Sequence, residues 1–394
     1  MAADHNFTQL VRSELGRYRD QDARVRRDVM MKTKTGAATA ELRARVTEGS
    51  HLQEFLGATI AIFLLSIAGF LLPTTATAHS SSSLKIYFVD VEGGQATLVV
   101  SPLGESILID TGWAGARDAE RIVAAANDAG LSRINYVLIT HYHGDQVGGV
   151  ADLLERMPVG MFVDHGPNAE DSGSAREQYA TYEKAIEHSK RVRLEPNQGL
   201  PLKGIKLQVL AAAGQHITTP LPGVGEANPY CASESEPQTD TSEDAQSIGL
   251  LLTYGKFQFL DLGDLSKQKE LELVCPNNLI GKVDLYLTTH DGVAAENPKA
   301  LVWALHPRVT ILNNGAHKGG SPEAWQIVHD SPGLSGFWQL HYAADTDREH
   351  NVSEEFIANL EEKSDGHFLK VLAMPNGTFT VSNSRNGVSR TYTQ

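Results

Sequence analysis

Only two cysteines occur in 394 residues, Cys231 and Cys275. That excludes a disulfide-dense scaffold, and their wide separation excludes a cysteine zinc knuckle. They either pair in an oxidising compartment or stay as two separate thiols. Positive charge is also scarce: 34 Lys and Arg against 48 Asp and Glu leave a formal net charge of -14. An acidic chain with no basic stripe has no general attraction for a polyphosphate backbone, which disfavours a nucleic-acid partner. No repeat recurs at solenoid periods. One stretch, residues 55–72 (FLGATIAIFLLSIAGFLL), lacks charge altogether.

That stretch sets the organisation of the chain. About 20 apolar residues cross a bilayer as a helix, and this run is close to that length. Pro73 and the small-residue sequence Ala76-Thr77-Ala78 follow it, the pattern of a signal-peptidase site. Arg43 and Arg45 precede it and would remain cytoplasmic. The sequence divides into a polar segment over 1–54, a hydrophobic signal or anchor over 55–78, a linker over 79–83 and a single domain over 84–394. Export to the periplasm or medium is expected, or anchoring to the membrane through residues 55–72 if the segment is uncleaved.

From residue 84 the texture is globular. LKIYFVDV, ATLVVS, SILIDTG and INYVLITH read as strands, and Arg117 to Ala129 as a helix ended by Gly130. VGGVADLLERM reads as a second helix. MFVDHG, KLQVLAAA, SIGLLLTY, KFQFLDLGD, VDLYLTTH and RVTILNNG read as further strands, with helical patterns between several of them. Cys231 to Ala245 is a polar loop. Past Pro322 a helix and more strands close the fold, with Trp325, Trp338 and Tyr342 read as core. Hairpins followed by alternating strands and helices predict α/β sheets faced by helices.

The segment that carries chemistry is YVLITHYHGDQVGG, residues 136–149. A buried strand ends at Thr140, and His141, His143 and Asp145 follow at alternate positions. Extended backbone would put the three side chains on one side. Two imidazoles and a carboxylate converging there suit a borderline metal such as zinc.

This motif resembles the H-x-H-x-D-H signature of the metallo-β-lactamase superfamily. VDVEGGQATLVV, ILIDTG, FLDLGD and LYLTTHDG resemble its other blocks in order and spacing, over about residues 84–320. The subgroup most similar in appearance is the hydrolase domain of bacterial DNA-uptake (competence) channel proteins and their free-standing exported relatives. The resemblance implies an αβ/βα four-layer sandwich of two mixed sheets flanked by helices. It implies His141 and His143 at a first metal position, Asp145 and His290 at a second, and Asp264 bridging them. Asp145 is then also the catalytic carboxylate that orients the attacking water, and Asp110 supports a histidine ring. The implied cofactor is zinc, one or two ions, and the implied activity is metal-dependent hydrolysis of an ester, amide or phosphodiester bond. The substrate is then a small or envelope-derived molecule.

Two positions depart from the pattern. Gln146 stands where the signature has histidine, and Thr289-His290-Asp291-Gly292 stands where relatives read T-H-H-G. An amide is a poor zinc ligand; Asp291 as a compensating carboxylate would favour a harder ion such as manganese. No histidine precedes the SIGLLL strand to complete the first position, which leaves His165, at the end of MFVDHG, as the candidate. His317, in the glycine-rich NNGAHKGG, is a candidate cleft residue. The alternative reading is a non-catalytic, metal-containing binding module with a degraded second site.

Overall fold

A computed structural model describes residues 83–235 and 238–393. The polar segment 1–54, the hydrophobic segment 55–78 and most of the linker lie outside the described residues. Among those described, no helix is long and apolar enough to cross a membrane.

Short branched runs pair into two mixed sheets. The first has nine strands, in spatial order Ser389–Tyr392, Phe379–Asn383, Leu369–Ala373, Leu84–Phe88, Thr97–Val100, Ser106–Ile109, Ile134–Leu138, Val159–Asp164 and Arg191–Arg193. The second has eight: Ile357–Asn359, Gly336–His341, Val309–Leu312, Leu285–Leu287, Phe257–Asp261, Gly249–Tyr254, Lys206–Ala212 and Gln215–His216. In each sheet the parallel strands, such as Ile134–Leu138 and Val309–Leu312, are almost wholly buried. Strands covered on both faces are mostly apolar, which is why they read as near-continuous runs in the sequence.

Alternation along each strand then divides the core. On the outer face of the first sheet, Leu98, Leu108, Val137 and Phe162 share one cluster with Ile122, Ala126, Leu153 and Tyr182 of the helices Ala116–Asp128, Val150–Arg156 and Gly173–Ala185. On the second sheet, Leu251, Leu260 and Tyr286 join Leu273, Leu301 and Val328 of Lys267–Val274, Lys299–Leu305 and Pro322–His329. The inner faces meet through edge-on rings: Phe88 against Phe259 at 5.6 Å and Phe257 against Phe379 at 5.2 Å. The layers therefore run helix, sheet, sheet, helix, as the resemblance implied. Trp325 and Trp338 are buried, in line with their reading as core.

Two local expectations are corrected. Extended alternation does not continue from His141 to Asp145. The chain enters a helical turn at Gly144–Val147, because Gln146 and Val147 N–H both donate to the His143 carbonyl, at 3.1 and 3.0 Å. VDLYLTTH is strand only over Leu285–Leu287, after which Thr289–Gly292 forms a tight turn with His290 and Asp291 in the left-handed region, φ 50° and 53°. Non-glycine residues avoid that region, so the turn is held by its surroundings rather than by local preference.

Candidate metal centre

In both sheets the parallel strands run in the same direction and release their functional residues at their C-terminal ends, where open α/β sheets generally bind ligands. The first sheet delivers Asp110, Thr140–His141 and His165; the second delivers Asp264, His290–Asp291 and Asn313. Close approach of the two sets depends on Gly263, at φ 57°, where an added Cβ would lie 2.9 Å from Thr140 Cβ.

Three donor atoms form a compact triangle. His141 Nε2 lies 3.1 Å from His143 Nδ1 and 3.4 Å from Asp244 Oδ1, and His143 Nδ1 lies 3.0 Å from the same Oδ1. A tetrahedral ion with bonds of about 2.0–2.1 Å spaces its ligands about 3.3 Å apart, so the triangle fits a divalent metal. Asp264 Oδ2, 3.7 Å from His141 Nε2, stands on the open side. The ring nitrogens that face away are also engaged. Thr140 Oγ1 donates to Asp110 Oδ2 at 2.7 Å, which leaves its lone pair to accept from His141 Nδ1–H at 3.1 Å. His143 Nε2 lies 3.5 Å from Glu170 Oε2. Partners of this kind fix the tautomer that presents a bare nitrogen to a metal.

A second group adjoins the first. His290 Nε2 is 3.6 Å from Asp264 Oδ2, with His290 Nδ1 backed by Glu296 at 3.5 Å. Gln146 Nε2 donates to Asp264 Oδ2 at 3.0 Å and to Asp145 Oδ2 at 3.3 Å. Asp291 accepts from Asn313 Nδ2 at 2.9 Å. Lys318 Nζ reaches both Asp145 and Asp291.

The crowding of charge shifts the titrations. Burial, with the neighbouring His143 and His290, holds the His141 imidazole well below its ordinary range. For His143, burial pulls down, but the hydrogen bond and charge of Asp244 outweigh it and lift the group to about 9. His290 rises to about 10, because the charge of Asp264 and the Glu296 bond exceed the opposing effect of burial. Burial raises the Asp264 carboxyl well above the usual carboxylate range.

Two supporting networks give testable expectations. Asp110, itself at φ 61° and fully buried, acts on His141 by way of Thr140. Asp110→Asn would place an amide where Thr140 now donates, turning the hydroxyl toward His141 as a donor and favouring the wrong tautomer. Divalent-metal affinity is expected to fall about 10–100-fold, read by competition with a chromophoric chelator; an unchanged affinity would contradict the relay.

The turn bearing His290 rests on Asn297, whose side chain accepts from Thr289 N–H at 3.0 Å and donates to Thr289 O at 2.9 Å. Asn297 N–H in turn donates to buried Glu270, 3.1 Å from Oε2. Burial pushes the Glu270 carboxyl from its ordinary 4.5 up to about 8. The fold thus favours protonated Glu270, a contribution fully present below pH 4.5 and lost as pH rises through about 8. Glu270→Gln is expected to reduce the drop in Tm between pH 6 and pH 9, measured by thermal melts of both proteins; equal drops would refute the assignment.

Of the residues singled out in the sequence, the structure gathers His141, His143, Asp145, Gln146, Asp264, His290 and Asp291 into one contiguous cluster. It does not bring His165 in as a ligand. His165 Nε2 is engaged by the buried Glu243 at 2.8 Å, and Glu243 also accepts from Tyr142 N–H and Ala169 N–H. The next residue, Asp244, supplies the third donor instead. His317 is exposed and paired with Asp345, while its neighbour Lys318 turns inward. Asp244 and Lys318 are the two residues sequence reasoning missed. The signal for Asp244 was its place just before the Gly249–Tyr254 strand, where a ligand was sought only as histidine.

The Cys231–Cys275 pair, left open by the sequence, is a disulfide with Cα atoms 5.8 Å apart.

Parts of the chain are similar to known proteins. Residues 89–231 match the metallo-beta-lactamase superfamily model. A hydroxyacylglutathione hydrolase of Xanthomonas euvesicatoria pv. vesicatoria is 36% identical over 91 residues, 23% of this chain and 30% of that protein. A thioesterase of Emericella nidulans is 39% identical over 75 residues, 19% of this chain and 22% of that one. The chain thus spans less than a third of the length of these curated relatives. Among solved structures, the metallo-beta-lactamase fold protein YhfI from Bacillus subtilis aligns over 66% of this chain and 96% of its own, at 13% identity and TM-score 0.40. The stretch that matches the metallo-β-lactamase superfamily model, residues 89–231, includes His141, His143 and Asp145.

Proposed function

We propose that the protein is a metal-dependent hydrolase whose ion is held by His141, His143 and Asp244. The observation that carries this reading is the donor triangle with edges of 3.0–3.4 Å. A divalent cation at that point supplies water activation near neutral pH and polarises the oxygen of the bond to be cut. The protein's own groups do the rest. Asp145 is a buried carboxylate that shares Gln146 with Asp264 beside the triangle, and as a carboxylate it can accept the proton released by the attacking water. Lys318 fixes the position of that carboxylate. Trp113, exposed beside Lys318 at the mouth, offers a flat apolar surface to a substrate.

The relatives named as hydroxyacylglutathione hydrolase and thioesterase support an acyl ester or thioester over a phosphodiester, so the likeness to the DNA-uptake subgroup does not decide the bond. The disulfide favours an oxidising compartment, which supports export. The test is turnover of p-nitrophenyl acetate, a hydroxyacylglutathione and bis-p-nitrophenyl phosphate by the zinc- and manganese-loaded protein. Metal-dependent cleavage of the acyl compounds is expected; cleavage of none of the three, with metal bound, would contradict a hydrolase.

A further inference from the structure

The second group of ligand-type residues contains a cation already. Asp145 and Asp291 are both buried, at 6% and 0% exposure. Buried carboxylates are costly unless a positive charge meets them. Lys318 Nζ meets both, pairing with Asp145 Oδ2 and lying 3.0 Å from Asp291 Oδ2. Its backbone carbonyl accepts from Gly315 N–H at 2.8 Å. Its side chain lies over Gly93, where any Cβ would fall 2.6 Å from Lys318 Cβ, so glycine there is what admits the lysine. The Trp113 ring borders the ammonium, with its centroid 5.7 Å from Nζ.

Gln146 is set the same way. Its partners Asp145 Oδ2 and Asp264 Oδ2 are carboxylate oxygens, which as anions only accept, so the Gln146 NH2 must face them. The side chain at the sixth signature position therefore presents donors toward these carboxylates, where a metal would need a lone pair. Asn313 likewise turns its NH2 to Asp291. Three side chains, one cationic and two neutral donors, face carboxylates that a second ion would otherwise claim.

We propose that Lys318 is the second cation of the centre, its ammonium standing between Asp145 and Asp291 in place of a second metal ion, so that the protein binds one divalent ion. The inference rests on the reading of His141, His143 and Asp244 as the metal position. Ammonium and divalent cation exclude each other there by repulsion and by competition for the same oxygens. The ammonium brings one charge and three N–H donors. Being partly exposed, it can donate to an oxygen on which negative charge develops as the substrate bond breaks.

The test is metal stoichiometry, read by native mass spectrometry and elemental analysis on the full chain titrated with zinc or manganese. Wild type is expected to saturate at one equivalent and Lys318→Arg, which keeps the cation, at one. Lys318→Met with Gln146→His removes the ammonium and the amide donor and is expected to saturate at two. Two equivalents in wild type, or one in the double variant with an unchanged circular-dichroism spectrum, would overturn the proposal while leaving the hydrolase reading intact. No bound metal in wild type would overturn both. Should the double variant not fold, the wild-type stoichiometry alone decides.

Discussion

His141→Ala is expected to abolish tight binding of a divalent ion and, with it, hydrolysis. His141 is fully buried and is the donor common to both edges of the site, 3.1 Å from His143 Nδ1 and 3.7 Å from Asp264 Oδ2. Its ring is held on the far side through Thr140 and Asp110. Changing a supporting partner of a metal ligand costs about 10–100-fold in affinity or activity, and losing the ligand itself must exceed that. Activity is expected to fall more than about 100-fold, with the metal lost on dialysis. The substitution leaves a small cavity near the surface of the sheet ends and not in either main core, so the melting transition should survive. A variant that kept its ion and its turnover would show that the triangle is not the metal position.

Cys231→Ser with Cys275→Ser is expected to be the most destabilising change outside the core. The bond closes a loop of 44 residues, which on the chain-entropy view stabilises the fold by about 4 kcal/mol. That corresponds to a fall in Tm of roughly 6 °C for a domain of this size. The loop is not an inert surface excursion. It carries Glu243, Asp244 and Asp264, and its ends are the turn Pro229–Ser233 and the end of the helix Lys267–Val274. Asn228 ties the same junction, donating to Val274 O at 3.1 Å and Ala300 O at 2.9 Å. Loss of the bond should therefore also weaken metal binding by loosening the segment that presents Asp244. Thermal melts with and without reductant check this; an unchanged Tm in the double variant would remove the bond from the account.

The four layers were readable because strands buried on both faces are largely apolar, as Tyr136–Ile139 and Ile311–Leu312 are within INYVLITH and RVTILNNG, and because helices announce themselves by one buried stripe. The histidine strand end was readable for a related reason: closely spaced metal ligands leave a local motif. Asp244 and Lys318 left none. Each reaches the site from a loop distant in sequence, and an aspartate in a Ser, Glu, Asp and Thr-rich segment resembles every solvated loop. His165 misled because a histidine at a strand end suits a ligand as well as a partner for a buried carboxylate; only the position of Glu243, 78 residues away, separates the two. The turn at His290 was read as the end of a strand because left-handed backbone in non-glycine residues is imposed by packing, here by Asn297 and Tyr286, and has no signature of its own.

The place of the ion decides whether the triangle of His141, His143 and Asp244 is a metal site. Crystals grown with zinc, measured at the zinc absorption edge, locate it directly. An anomalous peak is expected about 2.0–2.2 Å from His141 Nε2, His143 Nδ1 and Asp244 Oδ1, with Lys318 still between Asp145 and Asp291. A peak coordinated by other residues, or none in fully folded protein, would contradict it.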